Sequence, residues 1–208
     1  MSLLKWTNLL TPRLPGAVPT HVRAEVERTI EEFCVRSTAW RETLSGLDVT
    51  TGERDVELTA VTDNATAIGV LNAFLYQDIL GERAFAIGDD TTNRPNAYTV
   101  NQTVPVTITF TRTPEQDILG ELDVQVYLKP LSYDEDEDMP SLLENQFFEV
   151  IMDGVMSSML SNPEKPYTNQ QLAAFYGKRF LNGITRARVQ AQQGFTARAA
   201  NWVFPRFA

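Results

Sequence analysis

Residues 20–46 read THVRAEVERTIEEFCVRSTAWRETLSG, and how far a helix runs through them decides the architecture. Val22, Val26, Ile30, Phe33, Ser37, Trp40 and Leu44 recur at spacings of three and four, one apolar stripe on one helix face. Glu25, Glu27, Glu31, Glu32 and Arg36 occupy the remaining positions. Thr20 offers an N-cap oxygen and Gly46 a stop. The spacing predicts a single helix over 20–46, about six or seven turns long.

Outward from that helix the character changes on both sides. Pro12, Pro15 and Pro19 predict an extended segment over 1–19. From Leu47 to Leu131 the period becomes two: Val56, Leu58 and Ala60, then Val104, Val106, Ile108 and Phe110, then Leu122, Val124, Val126 and Leu128, each alternating with polar residues. The last two runs flank Thr113–Gly120, which predicts a hairpin with a long loop. Pro105 cannot donate to a ladder and suggests an edge or a strand start. Residues 62–100 give a mixed signal, with 88–96 turn-like.

Helical spacing returns after the acidic run Asp134–Asp138. Leu143, Phe147, Val150, Ile151, Gly154 and Val155 share a face, with Ser141 and Glu144 as a capping box. Leu172, Tyr176, Phe180, Gly183, Ala187 and Ala191 continue on a third helix that Thr168 and Gln171 open and Gly194 ends. Glycine costs helix stability, so Gly154 and Gly183 on these stripes point to close backbone approach. The expected fold is α+β: a helical core over 20–46 and 139–194 (one long N-terminal helix and two C-terminal ones), with an antiparallel β insertion over 47–131 and an acidic linker over 132–138.

Composition adds bounds. The 208 residues are 43% hydrophobic and 22% charged, a globular balance with enough chain to bury a core unaided. One cysteine, Cys34, forbids an intrachain disulfide and suits a reducing cytoplasm. The beginning lacks the marks of a signal peptide, and no apolar run is long enough for a membrane span, so a soluble chain is expected. Net charge is −9, and the seven cations after Glu164 (Lys165, Lys178, Arg179, Arg186, Arg188, Arg198 and Arg206) have no acidic companion, leaving −9 − 7 = −16 for residues 1–164. Seven cations over more than forty residues make no dense patch for phosphates. A basic helix lying on an acidic surface, its own or a neighbour's, is the preferred reading.

A search for chemistry returns little. His21 is the only histidine, so no two-histidine metal motif exists, and a first-turn surface position is expected for it. Cys34 beside Phe33 reads as a small buried hydrophobe. Asp134, Asp136 and Asp138 imitate the start of a calcium loop, but Met139-Pro140 stand where its glycine turn belongs and Asn145 where its glutamate belongs. A solvated acidic stretch before a helix N-terminus is the better reading. No phosphate-binding glycine loop is present. No catalytic residue, metal or cofactor is assigned, although paired carboxylates in a nuclease or wall hydrolase, or a DNA-binding regulator using the last helix, are the competing classes.

Three segments resemble the head-to-tail adaptor (connector) proteins of tailed phages, including the tail-tube-A type. They are Pro15-Gly16-Ala17-Val18-Pro19 leading into Glu32-Phe33-Cys34, Ser37 and Trp40; Met139-Pro140 followed by Leu143, Phe147, Ile151 and Gly154-Val155; and Lys165-Pro166-Tyr167 through Phe180, Gly183, Ala187-Arg188 and Gly194. Together they span about half the chain; Tyr167 stands where the family pattern expects tryptophan. The resemblance implies a ring of subunits, usually twelve, seated under the portal and receiving the tail or nozzle protein. The helices would form the ring body, the β insertion would face the tail, and genomic DNA would pass through the lumen without sequence-specific binding. Its site would be the virion's head–tail junction, after assembly in the host cytoplasm. A tail-completion or stopper protein one layer lower is the nearest alternative. Phe33, Trp40, Phe147, Ile151, Gly154, Tyr176, Phe180 and Gly183 are the expected helix-packing residues. The last fourteen residues hold Phe195, Arg198, Trp202, Phe204, Arg206 and Phe207, residue types enriched in interface anchors, and are expected to dock between portal subunits.

Overall fold

The computed structural model describes residues 3–82, 95, 97–103, 105–133 and 139–193. The chain begins with a helix where an extended arm was expected. In α1 (Leu3–Leu10), Leu3, Trp6, Thr7 and Leu10 form a buried stripe, and the Thr7 hydroxyl donates back to the Leu3 carbonyl at 3.1 Å. A 3-10 turn over Thr11–Arg13 follows. The prolines punctuate these helices without forbidding them. Pro12 sits at the start of the turn and Pro19 at the first position of α2 (Pro19–Ser37), where a missing N–H removes no helical bond.

The helix expected over residues 20–46 is shorter than its apolar spacing predicts. α2 stops at Ser37, nine residues before Gly46. Thr38 turns left-handed at φ 48° while its N–H still donates to the Cys34 carbonyl, and the Ser37 hydroxyl accepts from the Ala39 N–H at 3.2 Å. Trp40 and Leu44 continue the buried set from a different backbone. Trp40 stands at the head of β1 (Arg41–Val49), its carbonyl accepting from the Leu128 N–H at 2.9 Å. Gly46 ends no helix. It takes φ +71° inside β1, where the pairing with β8 slips between Leu44 and Leu47, a bulge that favours glycine.

The strands after β1 are β2 (Asp55–Leu58), β3 (Ala65–Leu75), β4 (Asp78–Ile79), β5 (Gly81–Glu82), β6 (Ala97–Asn101), β7 (Val106–Phe110) and β8 (Ile118–Pro130). They make two four-stranded sheets, ordered β1-β8-β3-β4 and β2-β7-β6-β5. All pairings are antiparallel except β5 with β6. The expected hairpin is therefore absent: β7 and β8 are central strands of different sheets. The segment joining them is tied to the β1–β2 loop, with the Thr51 N–H and hydroxyl donating to Asp117 and the Gly52 N–H to the Pro114 carbonyl. Alternation showed that both strands are half-buried; it carries no information on which neighbour each one pairs with.

α3 (Ser141–Gln146), α4 (Phe148–Ser161) and α5 (Gln170–Gln192) complete the described chain. Ser141 lies inside the first turn of α3 and caps nothing; α5 is capped by Asn169, whose side chain accepts from the Leu172 N–H at 3.1 Å, and not by Thr168. One continuous core joins α1, α2, α4 and α5 to both sheets, running from Trp6 and Phe33 through Leu122, Val124 and Val126 to Ile108, Phe110 and Ile151. The expected helical core with an inserted β element is thus overturned. Two sheets and five α-helices, counted among the described residues, share one interior.

Candidate docking surface

The part of the molecule with the closest helix packing is the α2–α4–α5 unit. Phe33 on α2 meets Phe147, the residue between α3 and α4, with ring centroids 5.0 Å apart. Ile151 is fully buried and Phe180 nearly so. Gly154 lies where α2 and α5 both press on α4: a Cβ there would stand 2.6 Å from a Thr29 methyl and 2.9 Å from the Phe180 ring. Gly183 likewise leaves no room beside the Val150 side chain. Tyr176 is half-buried, with its ring edge-on to Phe175 at 5.5 Å. Trp40 is buried at the head of β1, outside this unit.

Polar contacts lock the same helices. The Ser157 hydroxyl donates to the Ala173 carbonyl at 3.0 Å, and the Arg28 guanidinium to the Ser158 hydroxyl at 2.8 Å. Asp153, only 9% exposed, holds Arg179 of α5 at 2.9 Å. Beside this pair a groove of about 380 Å³ runs between α4 and α5, lined among others by Gln146, Asn182, Arg186 and Gln190.

Burial raises the Asp153 carboxyl above its ordinary value, with Glu149 adding to the rise; Arg179 and, more weakly, Arg13 pull the other way. A carboxyl whose folded pKa exceeds its unfolded one makes the native state the better proton binder. Its ionised form therefore costs stability at neutral pH, and that cost fades as pH falls through the folded pKa. Asp153→Asn keeps an acceptor for the half-exposed Arg179 and removes the cost. Denaturant titrations should show the variant modestly more stable than wild type at pH 7, with the difference shrinking as pH falls and gone only below about pH 4, the ordinary carboxylate pKa.

Residues considered for chemistry do not converge. His21 is exposed in the first turn of α2. Cys34 is buried, its thiol pushed up to about 12 by desolvation, with Glu31 adding to the effect. It is held as the neutral thiol. Among the described residues no group of three or more His, Cys, Asp or Glu side chains is placed to hold a metal, and no helix is long and apolar enough to cross a membrane. The acidic run Asp134–Asp138 and the expected docking residues Phe195, Arg198, Trp202, Phe204, Arg206 and Phe207 lie outside the described residues.

One surface escaped the reading of the sequence. Leu172, counted on the packing stripe, is exposed, and with Phe175 and Val189 it forms an outward apolar row on α5. The spacing 172–175–179–182–186–189 carries the signal, but Arg179 and Arg186 interrupt it and hide it from an apolar-only count. No protein-family model matches the chain, and no curated protein matches it.

Proposed function

We propose that this chain is a structural subunit of a phage head-to-tail adaptor ring, which binds the portal on one side, receives the tail on the other and leaves a channel for DNA. The observation that carries the reading is the α2–α4–α5 unit. The first of the three segments that resemble the adaptor family is far in sequence from the other two, yet together they supply the residues that pack this one unit: Thr29 and Phe33, Phe147 and Gly154, Phe180 and Gly183. The balance of −16 over residues 1–164 supports a conduit role, because like charge lets a polyanion slide without sticking. In this reading the protein acts by being covered by neighbours, with no reaction taking place.

The last fourteen residues are assigned to the portal. Burying Trp202, Phe204 and Phe207 would contribute roughly 5–8 kcal/mol, against about 1–2 kcal/mol per residue for ordering the backbone. One such segment binds weakly, whereas several presented on a ring act together. The test mixes the purified chain with the portal protein of the same phage and compares complex masses with a version ending at Gln193. Loss of portal binding is expected for the shortened chain; undiminished binding would refute the docking role.

A further inference from the structure

The geometry points to the outward face of α5 as the docking site for a second copy of this chain, which presents the acidic far end of its sheets to it. This inference rests on the ring reading and names the surfaces that close the ring. On α5, Leu172, Phe175 and Val189 are 45%, 53% and 43% exposed, on the side away from the buried Ala173, Phe180, Ile184 and Ala187. The Arg179 guanidinium lies 5.7 Å from the centre of the Phe175 ring. α5 carries Lys178, Arg179, Arg186 and Arg188 and no acid. Arg179 is held by Asp153 and Arg188 by the Arg36 carbonyl; Lys178 and Arg186 have no ion-pair partner among the described residues.

The complementary surface lies where β1, β2 and β8 meet. Leu119 is 71% exposed there, in a neighbourhood that holds Asp48, Glu53, Glu115, Asp117, Glu121 and Asp123, none in an ion pair among the described residues. Asp48, Asp117 and Asp123 accept from the backbone N–H groups of Gly120, Thr51 and Gly46. Over residues 41–133 the sequence has fourteen acidic and six basic side chains, 6 − 14 = −8.

The end of α5 that carries Arg186, Arg188 and Val189 lies away from the acidic end of the sheets within one molecule. Arg41, at the start of β1, donates to the Ala191 carbonyl in the last turn of α5 at 3.2 Å. From there β1 runs nine residues to Val49, beside Ile118, a length of roughly 30 Å. The C-terminal part of the basic-apolar face and the acidic end therefore sit at opposite ends of the strand, the arrangement of a head-to-tail contact, which closes into a ring when its rotation allows. Charge would steer and register the contact, and Phe175 has the character of a central anchor. A nucleic acid fits the face less well, because two unpaired cations share it with three apolar side chains.

The test uses the full chain and two variants, Lys178→Glu with Arg186→Glu and Glu115→Lys with Glu121→Lys, each checked for an unchanged melting curve. Sedimentation at low salt and high protein concentration should show self-association of either variant alone weakened about tenfold. An equimolar mixture should return to wild-type association, since each variant then offers the other its complement. A mixture no better than its components overturns the assignment, as does a Lys178/Arg186 variant that loses duplex-DNA retention while associating normally. If wild type gathers in several copies on the portal but the mixture stays unrestored, the ring reading stands and this surface falls. If wild type ignores the portal while the swap succeeds, the surface stands and the adaptor reading falls.

Discussion

Trp6→Ala is expected to cost about 3–5 kcal/mol, the range for truncating a large buried aromatic, and to lower the melting temperature by roughly 6–20 °C for a chain of this size. Trp6 is fully buried and meets the Phe148 ring edge-on, with centroids 4.7 Å apart. Leu3, Leu10 and Leu14 are buried with it. Because the indole Nε1–H has no hydrogen-bond partner among the described residues, the contribution of Trp6 is packing and apolar burial. Trp6→Phe should therefore cost far less than Trp6→Ala, since it keeps most of the ring and removes an unpaired donor. Thermal unfolding of the two variants measures both. Equal and negligible losses would mean that the beginning of the chain is an arm and not part of the core.

The prolines of residues 1–19 predict an extended segment, whereas the structure has a buried helix there. The stripe Leu3, Trp6, Leu10 was present at helical spacing. Three prolines mask it, although proline fits a helix's first turn, where Pro12 and Pro19 stand. The opposite error occurred at residues 38–46. There the spacing of Ser37, Trp40 and Leu44 matched a helix, yet the side chains reach the core from a left-handed turn and then a strand. A burial pattern records which residues face inward and is silent on the backbone that carries them. Of the C-terminal helices α5 was legible, whereas the single helix expected from Ser141 onward breaks at Phe147 into α3 and α4. Strand existence was legible at β2, β7 and β8 but pairing was not, since antiparallel neighbours are chosen by long-range closure that no local pattern encodes.

The candidate surface divided in the same way. Phe33, Phe147, Phe180, Gly154 and Gly183 were readable because each lies on a periodic apolar stripe. The outward row of α5 mixes apolar and basic residues, and its acidic counterpart is assembled from β1, β8 and two loops distant in sequence. Only the fold brings those together.

Gly154→Val should be the most damaging change within the helical unit, with an expected loss of about 3 kcal/mol or more, at or above the upper end for overpacking. The first branch atom alone would stand 2.6 Å from Thr29 and 2.9 Å from Phe180. Neither neighbour can yield cheaply. Thr29 is buried, with its hydroxyl bonded to the Glu25 carbonyl at 2.7 Å, and Phe180 is buried between α4 and α5. Relief requires α2 or α5 to move off α4, which would also strain the Ser157–Ala173 and Arg28–Ser158 contacts. Gly154→Ala should lose less and be partly rescued by Thr29→Ser, which removes the methyl that meets the new Cβ. On the ring reading, a shifted α5 also misplaces Phe175 and Arg186, so Gly154→Val should lose self-association at temperatures where its circular dichroism is still native. Melting curves and sedimentation of the same samples separate the two effects. A Gly154→Val protein with wild-type stability and association would mean that the α2–α4–α5 contact is looser than these distances require.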